Sequence, residues 1–404
     1  MKILLINRNH FIEGGADRVY LNTGNLLEEH NFEIAYFSTQ NVQNLFSEYT
    51  EYFAKDFNPR SVGILEKFKS IKNYLYNTDA SKKLSNLINQ FKPDIAHIHL
   101  FYGSLSASIL KTLNEYEIPV VITIHDYRLL CPANAMLDRH SIICEKCKGG
   151  KFYNCTFKRC SNGNLFYSTI ISIEAYMRKF VIDPLSFIDH FIFVSEFSLN
   201  KHISFDQRFE SKSSHLYNFT SSSILYEFIK GEYLLYYGRL SKEKGIVNLI
   251  SAVKNTKSKL KIVGDGPQKE EILHEINGCE GIEYLGFKSG LELKELIERC
   301  SYVVVPSEWY ENNPMTIVEA FSLGKPVIGA KIGGIPELVS DETGVIFESG
   351  NVLDLSDAIS SAINLDINEY KRISKNCLKF AEENFSKNKH FDSLENIYQS
   401  LIRK

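Results

Sequence analysis

YVVVPSEWYENNPMTIVEAFSLGKPVIGAKIGGIP, residues 302–336, contains a β-branched run closing on Pro306, a polar loop with Glu311, and a helix-like TIVEAFSL with Glu319. A strand–loop–helix unit of this kind sets the first carboxylate in the loop at the carboxyl end of the strand. The second falls about one turn into the helix, on the same side. Loops at that edge of a parallel sheet are where open α/β proteins bind ligands. An ionised carboxylate is acceptor-only and takes two donors side by side, so two of them there suit the vicinal hydroxyls of a sugar or ribose. Taken alone, the same pair also fits a solvated loop residue and an exposed helix residue.

The rest of the chain repeats the strand–helix alternation. KILLI (2–6), FEIAYFS (32–38), DIAHIHL (94–100), VVITIH (120–125) and HFIFVS (190–195) read as strands, with ADRVYLNTGNLLEEH (16–30) as the first helix between them. NFTSSS (218–223) is a polar lapse and the best linker. Alternation then restarts with YLLYYG (233–238), KLKIVG (259–264), IEYLG (282–286), YVVVP (302–306), KPVIGA (325–330) and TGVIF (343–347). The prediction is an α/β protein of two domains, 1–218 and 219–380, each a parallel sheet covered by helices on both faces.

Composition bounds the function. The 404 residues suffice for two separate cores, and 44% hydrophobic with 24% charged residues describes a globular chain. A net charge of −3 argues against nucleic acid as a partner. The first residues, KILLI, form a short strand pattern without a cleavage site, and no apolar run approaches the ~18 residues of a membrane span. The expected location is cytoplasmic, so the eight cysteines are read as thiols or metal ligands before disulfides.

Glu311, seven intervening residues and Glu319, followed by Ala320, Gly324, Pro326 and Gly333-Gly334-x-Pro336-Glu337, resemble the signature of retaining glycosyltransferases of the GT-B fold, specifically glycosyltransferase family 4. The resemblance implies two Rossmann-like domains facing each other across a cleft, with a terminal helix of about 380–404 packing back on the first. It also implies sugar transfer from a UDP-, GDP- or ADP-sugar to an acceptor hydroxyl with retained anomeric configuration. No side chain is an obvious nucleophile, and the family implies front-side attack with the departing phosphate as base. A non-catalytic sugar-nucleotide-binding protein and a sugar-nucleotide epimerase of the same architecture stand as alternatives.

The GRLSKEKG segment places Arg239 and Lys244 in one loop after Gly238, where two exposed cations can converge on a pyrophosphate. The register resembles the family's donor-diphosphate motif, and such a grip dispenses with a catalytic metal or organic cofactor. Phe287 falls in a segment similar to the one whose backbone meets the nucleotide base. Gly14-Gly15, between the first strand and a helix, suits backbone amides approaching an anion. His125 ends a strand where the family places a histidine against the donor sugar, while His97, His99 and His140 are read as structural or solvated. Asp126 suits either an acceptor hydroxyl or a cap. After Glu311, Asn312, Asn313, Met315 and Thr316 are expected to face the donor. Pro314 departs from the family's glycine and removes one amide.

Cys144-x2-Cys147 with Cys155-x4-Cys160 has the make-up of a structural zinc site, against the reading of reduced free thiols. LEKFKSIKNYLYN (65–77), the basic span 139–160 and YMRKF (176–180) mix cations with apolar residues. They suit peripheral contact with an anionic membrane surface, where a lipid-linked or glycan acceptor for bacterial surface polysaccharide would be met.

Overall fold

The computed structural model describes residues 1–57, 64–220 and 228–402, without the side chains of 64–69. Residues 221–223 of the expected linker, and the side chains of the first part of the lysine-bearing 65–77 segment, lie outside the described residues. The chain divides into two units. Met1–Leu216 with His390–Lys404 form the first, and Tyr217–Lys389 the second.

Runs such as Lys2–Asn7, KILLIN, are apolar on both faces, and burial on both faces is what a parallel sheet between helix layers requires. Unit 1 holds β1 (Lys2–Asn7), β2 (Glu33–Phe37), β3 (Ile95–Leu100), β4 (Val120–Ile124), β5 (His190–Phe193) and β6 (Ser213–His215), in the order β2-β1-β3-β4-β5-β6. Unit 2 holds β7 (Leu234–Tyr237), β8 (Leu260–Val263), β9 (Ile282–Tyr284), β10 (Tyr302–Val305), β11 (Val327–Ala330) and β12 (Gly344–Phe347), in the order β12-β11-β10-β7-β8-β9. Every ladder between these strands is parallel. This is the two-domain GT-B fold.

Counted within unit 2, the strand order reverses between its first and fourth strands, β7 and β10. They are neighbours, with Leu234 opposite Tyr302 and Leu235 opposite Val303. Such a reversal opens a crevice beyond the strands' carboxyl ends. The equivalent reversal in unit 1 separates β1 from β3.

Six helices matter below: α1 (Gly15–Glu29), α2 (Tyr153–Phe157), α3 (Leu165–Phe180), α4 (Met315–Ser322), α5 (Ile367–Asn384) and α6 (Lys387–Ile402). The terminal stretch read as one helix is two, α5 and α6. Phe385 caps α5 through its amide to Ala381 O, and its side chain is fully buried. Tyr398 on α6, also fully buried, hydrogen-bonds through its hydroxyl to His97 Nδ1 at 2.6 Å within unit 1.

Candidate active site

The loops after β7 and β10 meet at the reversal of unit 2. After β7 the chain passes Gly238 and Arg239, makes a single 3-10 turn (Lys242–Lys244), and turns again at Gly245. Gly245 has φ +69°, and a Cβ there would lie 2.0 Å from the Pro306 carbonyl oxygen. Only glycine lets the two loops come this close. The contact is reinforced by the Glu308 amide donating to the Glu243 carbonyl at 2.8 Å.

Glu311 lies at the centre, 5% exposed. One of its oxygens accepts from Lys244 Nζ at 2.6 Å and from Ser307 Oγ at 2.6 Å. Burial alone would raise its pKa, but the Lys244 charge and these hydrogen bonds outweigh burial and hold it below the ordinary carboxylate value. Lys244 Nζ also lies 5.2 Å from the centroid of the Trp309 ring. The expectation of two exposed loop cations therefore holds for one of them. Arg239 is exposed and, among the described residues, has no ion-pair partner. Lys244 is drawn into a largely buried pair, because a desolvated carboxylate beside it needs a counter-charge.

The remaining predicted donor residues divide. Asn312 and Asn313 are buried. Asn313 is committed to the chain itself, its Oδ1 accepting from the Asn218 amide at 2.9 Å and its carbonyl from Asn218 Nδ2 at 3.0 Å. Pro314 precedes α4, so the Met315 and Thr316 amides head its first turn, and Glu319 follows half-buried on the same helix. Thr316 O accepts from the Tyr237 hydroxyl at 2.8 Å, tying α4 to the end of β7. Gly333, φ +60°, presses on Glu311 so closely that a Cβ would sit 2.3 Å from its carbonyl oxygen. The next amide, Gly334, donates to that same oxygen at 2.7 Å. Phe287 is exposed beyond Gly286, whose carbonyl accepts from the Gly264 amide at 2.9 Å.

In unit 1, Gly14 and Gly15 do open α1, but two amides of their loop are taken. Glu13 N and Gly14 N donate to Asp17 Oδ2 at 3.1 and 3.0 Å, and Asn7 Nδ2 donates to its other oxygen at 2.8 Å. The acid three residues beyond Gly14 is a helix-capping signal that the sequence carries openly. Burial pushes the Asp17 carboxyl up despite these hydrogen bonds.

His125 follows β4 and shares a 2.9 Å hydrogen bond with His99 Nδ1, their rings stacked with centroids 5.2 Å apart. His97 stacks on His99 in turn. Burial lowers His125 to about 3, so it is a neutral hydrogen-bonding ring at physiological pH. His99, read as structural or solvated, is buried and touches His125 directly. The signal was its place at the end of β3, beside β4. Asp126 Oδ1 accepts from the Arg128 amide at 2.9 Å, the capping role, while burial raises its pKa.

Among the described residues no disulfide joins the cysteines. Cys147 and Cys155 are buried in a small apolar cluster with Phe152 and Ala175, and Cys160 packs against it. Burial, with neighbouring Cys131, Cys160 and Cys144, pushes Cys147 up to about 12. Among the described residues no group of three or more His, Cys, Asp or Glu side chains is arranged to hold a metal ion.

Two Rossmann-type sheets, the second with carboxylates and cations at its strand reversal, define the class of GT-B glycosyltransferases that use nucleotide-sugar donors. Residues 225–380 match the model of glycosyl transferases group 1, and residues 13–219 that of glycosyltransferase family 4. The chain belongs to glycosyltransferase family 4. It is 29% identical over 362 residues to an uncharacterized glycosyltransferase of Methanocaldococcus jannaschii, covering 88% of each. It is 23% identical over 300 residues to an uncharacterized 42.6 kDa protein in the cps region of Klebsiella pneumoniae, covering 74% of this chain and 72% of the other. The fold is shared with the Anabaena protein HepE solved with UDP-glucose, at a TM-score of 0.67 and 18% identity over 99% of this chain and 100% of that one. Among the described residues no helix is long and apolar enough to cross a membrane.

Proposed function

We propose that this glycosyltransferase retains the anomeric configuration and grips the donor diphosphate with Arg239 and Lys244 in place of a divalent metal. The observation that carries the proposal is the pairing of Lys244 with a buried, ionised Glu311 at the strand reversal of unit 2, with an exposed Arg239 in the same loop as the lysine. Preorganised cations at a departing diphosphate stabilise the charge that develops as the glycosidic bond breaks. Lys244 and Glu311 satisfy each other when no donor is bound. An arriving diphosphate competes for the lysine, and sugar hydroxyls compete for the carboxylate, so the donor replaces one ion pair with two sets of charge-assisted hydrogen bonds. Glu319 meets the ribose. His125, neutral, offers a hydrogen bond to a sugar hydroxyl and does not act as nucleophile.

The likeness to a protein of a cps region supports a role in bacterial surface polysaccharide assembly, with a lipid-linked or glycan acceptor. UDP-, GDP- and ADP-sugars are the donors to screen, by thermal shift and then by transfer with stereochemical analysis of the product. Transfer should survive chelation, and an inverted product or loss of activity in EDTA refutes the mechanism. Glu319→Ala should weaken nucleotide binding and Glu311→Ala should lower turnover. Unchanged UDP or GDP affinity in Glu319→Ala removes the ribose assignment.

A further inference from the structure

Helix α3 is built inside out. Its buried side carries Ser168, Ser172, Glu174 and Arg178 beside Ile170 and Ala175. Arg178 Nε donates to Glu174 Oε1 at 3.0 Å and its Nη2 to the Arg128 carbonyl at 2.9 Å, so this polar interior is satisfied. The outward side carries Phe166, Ile173 and Phe180, which are 55%, 45% and 74% exposed. They recur every seven residues, which sets them in one line along a helix. Leu165 and Val181, flanking its two ends, are also exposed. Helix α2 packs alongside through Thr156 Oγ1 to Ser172 Oγ at 3.0 Å, and it exposes Phe157 at 77%. A helix in a water-soluble domain ordinarily turns its apolar residues inward. A row of exposed aromatic and aliphatic residues marks a surface made to be covered.

The charges around the row say what covers it. Between residues 139 and 181 the only carboxylates are Glu145 and Glu174. Glu145 is paired with Lys201 at 2.7 Å and Glu174 with Arg178 at 3.0 Å. The cations Lys146, Lys148, Lys151 and Arg159 are exposed. A symmetric contact with a second copy would bring these like charges against themselves. We infer that the face formed by α2, α3 and the Lys146–Arg159 cations docks on an anionic lipid bilayer, with Phe157, Phe166, Ile173 and Phe180 entering the headgroup boundary. Apolar residues that enter the boundary and cations that remain at the phosphates are the two halves of an interfacial anchor. The inference rests on this surface alone and stands apart from the sugar-transfer reading.

Co-sedimentation with vesicles of phosphatidylcholine, with and without 30% (roughly physiological) phosphatidylglycerol, tests it. Binding should require the anionic lipid and weaken with salt. Each cation near such a surface is worth about 1 kcal/mol, about five-fold, so K146Q/K151Q/R159Q should lower partitioning on the order of 100-fold. F166S/I173S/F180S should abolish it while thermal unfolding and nucleotide affinity stay at the wild-type values. Absence of pelleting, equal binding to neutral vesicles, or undiminished binding by either variant overturns the inference. So does concentration-dependent dimerisation that the triple serine variant removes, since that assigns the face to a second copy.

Discussion

Replacing Lys244 by Met tests the central ion pair. Lys244 is 24% and Glu311 7% exposed at the side chain, so the variant leaves a carboxylate in a mostly dry pocket without its counter-charge. Breaking a fully buried pair costs about 3–5 kcal/mol, and the partial exposure of Lys244 lowers the expectation to about 2–3 kcal/mol. Removing both partners in K244M/E311Q should recover most of that loss, to within about 1 kcal/mol of wild type, because no unpaired charge remains. The pH dependence has a definite sign. Glu311 in the wild type has its pKa below the ordinary 4.5, so its stabilisation is fully present above that value and is lost as pH falls through the folded-state value. In K244M only the Ser307 and Trp309 hydrogen bonds still oppose burial, so the pKa rises, and the variant's deficit should be largest at neutral pH and shrink in acid as the carboxyl protonates. Urea unfolding followed by emission of Trp309, the only tryptophan, reads unit 2 directly. A K244M deficit below about 0.5 kcal/mol, or a double variant as unstable as the two single losses added together, would refute the pairing as the feature that holds Glu311 ionised.

Arg239→Ala should cut transfer by about 10²–10³ while leaving unfolding nearly unchanged, because an exposed loop cation contributes little to stability; a steady-state rate beside a urea curve checks both halves. Gly333→Ala should impair turnover and stability together, since a Cβ at φ +60° would meet the Glu311 backbone at 2.3 Å, and recovery of full kcat would show that the turn can yield. His97 and His125 are held near 3 and His99 well below its ordinary value by burial, so the unfolded chain takes up protons first as pH falls below about 6.5. Unit 1 should lose stability as pH falls from about 6.5 toward 3, because the unfolded chain binds the protons that burial denies these rings, and urea midpoints across that range measure it.

The strands were legible because each is a short apolar run with β-branched or aromatic residues between turn signals. The exception is β6, whose Ser213, Ser214 and His215 offer no such run. Among the described residues it is a short edge strand that pairs only with β5, so backbone pairing rather than side-chain burial defines it. The spacing of Glu311, Glu319, Arg239 and Lys244 located the loops, because local sequence dictates which strand end each residue follows. It did not reveal that Lys244 and Glu311 bond to each other, since that contact spans 67 positions and depends on how closely Gly245 lets the loops approach. His99 beside His125 was hidden for the same reason: the contact depends on strand adjacency, which a single chain does not spell out. Asp17 differs. Its spacing from Gly14 was a readable cap, and its claim on the loop amides follows from that spacing alone.

Unit 1 is interrupted in sequence by the whole of unit 2, and this bears on how the protein is made. Phe391, Leu394 and Tyr398 of α6 are buried in unit 1, and Tyr398 completes the hydrogen bonding of His97. On the ribosome those residues follow unit 2, so the amino-terminal sheet waits on the order of ten seconds or more with that part of its core uncovered. Unit 2 is continuous and can close as soon as it emerges. The usual vectorial order, first domain first, is thereby reversed for the final step. The nascent amino-terminal unit is the portion exposed to chaperones and proteases while the remainder is translated.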